Sequence, residues 1–206
     1  MTALIEFIWA ATAAGIAIGL YPVLRTHSRG LALGSVAART VEGVFVLIGT
    51  LALLALLTVS QESPAAGSSR ESSFQPVGDA LLALREWSHG FVAILALGLG
   101  ALLYYYVLYT SRLVPRWLSG WGLVGAALLV VSTVSSGLTQ DFGLTTVNTV
   151  LNIPIGLQEM VLAVWLIVKG FNQLPVGAIP PSSPPLSGRT AEPVEPEQPD
   201  RTLRHA

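Results

Sequence analysis

Long apolar stretches alternate with short polar segments over the first 170 residues of the chain. The uncharged runs are 7–24, 43–61, 90–111, 117–140 and, interrupted only by one glutamate, 142–168. A helix rises about 1.5 Å per residue, so about 20 apolar residues cross the hydrocarbon core of a membrane. The pattern therefore predicts an all-α fold, a polytopic transmembrane helix bundle with five spans in a lipid bilayer.

Turn-forming residues between the runs set the limits of each span. The predicted spans are 3–24, 35–60, 88–109, 117–138 and 146–169. Residues 61–76, rich in Ser, Gly and Pro, are predicted to form a loop. Residues 77–87 mix charged side chains with leucines, which predicts an interfacial lead-in to the third span. Tyrosines and tryptophans, among them Tyr104 and Tyr105, are predicted to lie at the inner interface.

Lys and Arg indicate the orientation of the bundle. They gather at one end, in the first and third connections and after the fifth span: Arg25, Arg29, Arg112, Arg116 and Lys169. The positive-inside rule then makes that end and the C-terminus cytoplasmic, in the inner membrane of a cell. The first span lacks a positive n-region and contains Glu6, so it is not predicted to be a secretory signal.

Residues 171–206 differ in composition from the rest. Most of the 13 prolines lie there, together with several acidic residues. Such a segment has little to bury and cannot form regular secondary structure, which predicts a disordered cytoplasmic tail following a bundle of residues 1–170. The alternative is a Pro-rich ligand for a partner domain.

Composition narrows the chemistry. The chain is 52% hydrophobic and only 11% charged, whereas soluble domains carry roughly 25% charged residues. The lack of cysteine excludes disulfides and thiolate metal sites. No zinc spacing, phosphate loop or nucleophile elbow occurs, and no basic patch is interleaved with aromatics. We therefore expect no catalytic residue, metal, cofactor or nucleic-acid partner.

Charged residues inside the spans are the first candidates for function, since charge is costly in a membrane. Arg39 and Glu42 are three residues apart on one helix face and can pair. Glu159 lies about 15 Å from Lys169, near the midplane, with Gln158 beside it. An unpaired carboxylate there costs several kcal/mol, so Glu159 is paired or protonated. This intramembrane polar cluster is either a proton-linked or substrate site, or an ion pair that fixes helix register.

A second polar set lies toward the outer end. Glu6 on the first span matches the depth of Arg85 and His89 at the start of the third, which predicts contacts among them; the alternative is that they snorkel to water. Pro154 precedes Glu159 by five residues and predicts a helix kink. A helix broken there would resemble transporter sites, although single kinks are common in membrane helices. Small residues around Gly15 and Gly19 predict close backbone packing.

Three stretches resemble the bacterial multi-pass membrane family catalogued as domain of unknown function 4386. They are residues 38–43, 111–118 and 154–171, the last carrying a glutamate and a lysine in an apolar helix. The resemblance implies about six helices with no established activity, cofactor or ligand. Arg39, Glu42 and Glu159 match the polar positions of the family. Its additional N-terminal helix is expected to be missing from this sequence.

Three classes of function stay open. The first is a non-catalytic structural, sensory or partner-binding membrane component, as a homo-oligomer or with a membrane partner protein. The second is a small proton-coupled transporter or permease that uses Glu159 for a small-molecule ligand, with Arg39 and Glu42 as counter-charges. The third, a membrane-embedded enzyme, would need Glu42 and Glu159 to converge as acid and base. A polar cavity that reaches Glu159 would favour the transporter, and a dry Arg–Glu contact would argue against it.

Overall fold

The structure, a computed structural model, describes residues 1–62, 68–142 and 146–172, and all regular secondary structure in these ranges is helical. The helices are α1 (Thr2–Leu24), α2 (Arg29–Glu62), α3 (Ser68–Arg85), a π-helix (Glu86–Ala93), α4 (Ile94–Ser111), α5 (Arg116–Thr139) and α6 (Thr146–Val168).

Five helical segments in the described ranges are long and apolar enough to cross a membrane. They are Thr2–Leu24, Arg29–Gln61, Phe74–Ser111, Arg116–Thr139 and Thr149–Val168. Their outward faces are covered with large apolar side chains, for example Ile16, Val131 and Ile167. A surface of this kind is suited to lipid contact. The prediction of an all-α bundle with five spans is confirmed.

The loop predicted for residues 61–76 is wrong in its second half. Helix α3 begins at Ser68 and contains Pro76, and helical structure then continues without a break to Ser111. The physical reason is tertiary packing. α3 lies against α2, where a Cβ placed on Gly78 would be 3.7 Å from Leu56. This contact outweighs the weak preference of Ser, Gly and Pro for loops.

A π-helix in the third span was not predicted. Its wider turns cover Glu86–Ala93, and inside it the hydroxyl of Ser88 donates a hydrogen bond to the carbonyl of Leu84 at 2.6 Å. π-Segments are rare and recur at functional sites. Here the segment carries His89, whose ring lies edge-on to Trp9 of α1 at 5.4 Å.

The turns between spans give the bundle two ends. α4 and α5 each end at a residue in the left-handed backbone conformation. These residues are Arg112 and Gln140, both with φ 56°. The backbone N–H of Asn172 donates to the carbonyl of Leu113 at 2.8 Å, which fastens the end of α6 to the α4–α5 turn. We call this end, with the α1–α2 turn, the Lys169 end. The Phe142 end carries the start of α1 and the residues after α5.

The core lies between α4, α5 and α6. Tyr104 and Tyr105 are buried there among apolar neighbours such as Leu108 and Leu118, so their prediction as interface residues is wrong. A Cβ at Gly122 would lie 2.5 Å from the Tyr105 ring, which explains why α5 has no side chain at this position. The glycine thus makes room for a tyrosine in the interior.

The close backbone approach predicted at Gly15 and Gly19 is not found: no described atom lies within 4 Å of a Cβ placed on either. The approach occurs instead at Gly43, where a Cβ would be 2.9 Å from the carbonyl oxygen of Ala10. Glycine spacing alone does not show which face packs inward, and α1 turns Ala10, Ala13 and Ala17 inward instead.

The bundle forms one compact unit, Met1–Asn172. Phe171 packs against the core and Asn172 is hydrogen-bonded to the α4–α5 turn, so these two residues belong to the bundle rather than to the tail. The remainder of the predicted disordered tail lies outside the described residues.

Candidate functional site: a cavity beside Glu159

The first polar contact ties α1, α2 and α3 together near the Phe142 end. Glu6 is 6% exposed, and its carboxylate accepts hydrogen bonds from Arg85 Nη2 at 2.7 Å and from the Thr50 hydroxyl at 2.7 Å. Arg85 Nη1 also donates to the carbonyl of Gly49 at 3.0 Å. The two side chains turn inward and neutralise each other, which argues against the snorkelling alternative and makes the contact a link between helices.

The second polar contact lies within α2. Arg39 Nη1 is 2.9 Å from Glu42 Oε2, as their three-residue spacing allows, and the carboxylate of Glu42 is fully buried. The indole N–H of Trp9 donates to Glu42 Oε1 at 3.0 Å. This pair is electrically neutral and is also connected to α1.

Glu159 does not join these pairs. Its Oε1 accepts a hydrogen bond from the hydroxyl of Tyr104 at 3.3 Å, and none of the arginines or lysines that the structure describes lies within ion-pair distance of it. Glu159 is only partly buried. The trio expected from the sequence therefore divides into a closed Arg39–Glu42 pair and a separate carboxylate.

Gln158 lies in the core of the bundle, unlike the adjacent Glu159. It is fully buried, its Oε1 accepts a hydrogen bond from the Tyr105 hydroxyl, and its Nε2 donates to the carbonyl of Leu118 at 3.1 Å. These bonds join α4, α5 and α6 at the core. Gln158 thus holds α6 in place, while Glu159 on the adjacent position faces elsewhere.

Glu159 faces a cavity of about 390 Å³. α1 and α6 each supply part of the lining, and in the described part of the chain they do not pack on each other. The π-helix, α4 and α5 complete the lining. The polar lining residues are His89, Ser132, Thr133, Ser136, Asn152 and Glu159; the aromatic ones are Trp9 and Phe142; the aliphatic ones include Ile94, Leu97, Leu129 and Ile155.

Two polar atoms of the lining have no hydrogen-bond partner among the described residues. They are His89 Nδ1 and Asn152 Oδ1, both buried. Leaving such a group unsatisfied costs about 1–3 kcal/mol, so water or a ligand in the cavity is expected to bond to them. His89, which the sequence grouped with Glu6 and Arg85, also lines the cavity.

One face of α6 supplies its side of the cavity. Asn152, Ile155, Gly156 and Glu159 recur at the helical period and share that face. Pro154 lies between them in sequence but is not part of the lining, and α6 is continuous through it. The likeness to broken transporter helices is therefore lost, and the kink at Pro154 stays a prediction.

Several residues of the site were missed in the sequence. Trp9 looked like one more apolar residue, and Tyr104 looked like part of an interfacial belt. Asn152 could have been identified from the sequence, because it precedes Glu159 by seven residues, or two helical turns, and so lies on the same helix face. Among the described residues no group of three or more His, Asp or Glu side chains could hold a metal ion.

Comparison with known proteins identifies the chain at family level. No curated protein and no solved structure matches it. The family model described as Domain of unknown function (DUF4386) matches residues 1–170, which include every helix of the bundle and both polar pairs. The five long apolar helices of the chain fit a multi-pass membrane protein. The chain therefore belongs to the DUF4386 family, whose description assigns no function.

Proposed function

We propose that the protein is a small transporter or permease that binds a polar ligand in the cavity and uses Glu159 as its proton-exchanging group. The observation that carries this proposal is the position of Glu159, which faces a cavity with polar and apolar walls rather than a sealed contact with an arginine. Intramembrane ionisable residues that face cavities are commonly parts of ion and substrate pathways.

The distribution of charge supports this role. Both arginines near the cavity are already paired, Arg39 with Glu42 and Arg85 with Glu6. Glu159 has one hydrogen bond, from Tyr104, and its second oxygen has none from the described residues. A carboxylate in this position is stabilised either by a proton or by a bound cation. Exchange of one for the other is the elementary step of proton-coupled transport.

The cavity has a suitable size and position. Its volume of about 390 Å³ lies at the lower end of the range for small-molecule sites. It extends from Phe142 at one end of the bundle to Glu159, about two turns into α6 beyond Asn152. With the Lys169 end and C-terminus on the cytoplasmic side, as the Lys and Arg distribution indicates, the cavity begins at the outer side of the cell membrane.

A sensory or partner-binding component is the second candidate. The same cavity could receive a ligand without moving protons, and the two ion pairs, Glu6–Arg85 and Arg39–Glu42, would hold the bundle rigid around it. Ligand binding without any proton flux would favour this function over transport.

Proton flux in reconstituted vesicles tests the proposal. The purified protein is placed in liposomes containing a pH-sensitive dye, and a pH gradient is applied with potassium and valinomycin to balance charge. We expect flux above that of empty vesicles for the wild type, and background flux for Glu159→Gln. The matched control is Glu86→Gln, the same change at an exposed residue that is not part of the cavity lining, which should retain wild-type flux.

Gel filtration and circular dichroism establish that each variant is folded before flux is compared. Wild-type flux no higher than that of empty vesicles would overturn the transport proposal. Equal flux in wild type and Glu159→Gln would remove Glu159 from the pathway.

A further inference from the structure

The cavity lining offers hydrogen-bond acceptors that have no partner among the described residues. Asn152 Oδ1 is buried without a partner, and a carboxylate oxygen of Glu159 is also unused by the described residues. Both atoms can only accept. His89 Nδ1, likewise unpartnered, accepts when the ring proton is on Nε2. A ligand that brings donors would satisfy these acceptors.

Several donors in the lining and beside it are already used. The Trp9 indole N–H donates to Glu42, the Tyr104 hydroxyl donates to Glu159, and the Thr133 hydroxyl donates to the carbonyl of Leu129 at 2.8 Å. A ligand acceptor could receive these three donors only if one of these bonds were broken.

The charge of Glu159 determines which charge a ligand with donor groups should carry. The Glu6–Arg85 and Arg39–Glu42 pairs are each neutral, so an ionised Glu159 leaves one uncompensated negative charge beside the cavity. In a low-dielectric site a cation is attracted to this charge and an anion is repelled. Neither arginine can readily turn to receive an anion, because each is held by its own carboxylate.

The walls indicate what the rest of the ligand is made of. Trp9 and Phe142 present aromatic surfaces, which attract organic cations, and Leu129 and Ile155 present aliphatic ones. A small inorganic ion would gain nothing from these apolar walls, whereas a hydrocarbon or aromatic body would bury itself against them. The lining thus combines one anionic anchor with an apolar surface.

Resting on the proposed function, we propose that the cavity binds a protonated organic amine with an apolar body. Its ammonium group lies on the carboxylate of Glu159, and a second N–H or O–H group donates to Asn152 Oδ1. Seven residues separate these anchors on α6, about 10 Å along the helix, so the ligand presents its two donor groups at opposite ends.

Four probes of nearly equal size separate these features. Tyramine carries an ammonium and a phenol hydroxyl at opposite ends. Tyrosol replaces the ammonium by a neutral hydroxyl, 4-hydroxyphenylacetate replaces it by a carboxylate, and phenethylamine lacks the phenol hydroxyl. Binding of each to the full chain in lipid nanodiscs is measured by isothermal titration calorimetry, with sodium chloride as the inorganic cation.

We expect tyramine to bind at least about tenfold more tightly than tyrosol or 4-hydroxyphenylacetate, the scale of one hydrogen bond to a charged group. Glu159→Gln should remove this preference and leave tyrosol binding unchanged. Asn152→Leu should weaken tyramine and leave phenethylamine unchanged. The Glu86→Gln control should bind all four probes as the wild type does.

Equal affinity for tyramine and tyrosol, tighter binding of the anion, or competition by millimolar sodium equal to that of an amine would overturn the inference. So would a failure of all four probes to bind. The two proposals fail separately. Glu159-dependent proton flux without selective amine binding would reject the ligand class alone, and selective amine binding without flux would reject transport and leave the ligand class standing.

Discussion

Removing the positive charge of Arg39 is the sharpest test of how this bundle tolerates buried charge. Arg39 is 6% exposed, Glu42 is fully buried, and their ion pair measures 2.9 Å. The stem of Arg39 also packs on α4, where a Cβ placed on Gly100 would be 3.3 Å from Arg39 Cδ. Arg39→Met keeps an unbranched apolar stem in this space and removes only the charged head.

The substitution leaves the Glu42 carboxylate with a single described donor, the indole N–H of Trp9. Breaking a fully buried pair in this way costs about 3–5 kcal/mol, because one charge remains without compensation. The double variant Arg39→Met/Glu42→Gln removes both charges and retains an amide oxygen for Trp9. We expect it to recover most of the lost free energy of unfolding, since replacing a whole buried pair is often neutral.

Unfolding in mixed micelles with increasing dodecyl sulfate, followed by circular dichroism, measures the difference. The control is Arg25→Met, the same change at an exposed arginine in the α1–α2 turn, which should shift the midpoint far less. Wild-type stability in Arg39→Met would refute the reasoning. A double variant as unstable as the single one would also refute it, by showing that packing rather than charge explains the loss.

Two glycine substitutions test the packing of the bundle by the same unfolding assay. Gly122→Ala should destabilise it by about 1–3 kcal/mol, because the new methyl group would lie 2.5 Å from the Tyr105 ring, whereas Gly120→Ala, with only ordinary contacts, should not. Gly43→Ala should cost a similar amount where α2 meets a backbone carbonyl of α1, and its control is Gly15→Ala, which has open space. Equal stability within either pair would contradict the close approaches described above.

Much of the architecture could be predicted from local patterns. The ends of α1 and α5 lie within one residue of the predicted spans, because charged and turn-forming residues interrupt an apolar run at a definite position. The spacing of Arg39 and Glu42 on one helix places them close enough to pair whatever the rest of the fold does. Such features depend only on residues near one another in the chain.

Other features depend on contacts between segments that are distant in the sequence, and the predictions made from local patterns were wrong or missing for them. Residues 68–76 look like loop, yet they form helix because α3 packs on α2. Tyr104 and Tyr105 look like interface residues, yet they donate hydrogen bonds to α6 in the interior. The π-helix that carries His89 had no predictive pattern at all.

The sequence by itself determined that this protein is a five-span helical bundle, since hydrophobic length and helical period are properties of single segments. It also marked Arg39, Glu42 and Glu159 as costly residues in an apolar environment. Only the tertiary structure decided their separate positions. Arg39 pairs with Glu42, whereas Glu159 lines a cavity together with Asn152. The reason is that packing between helices, rather than spacing within one helix, sets the direction in which each helix face points.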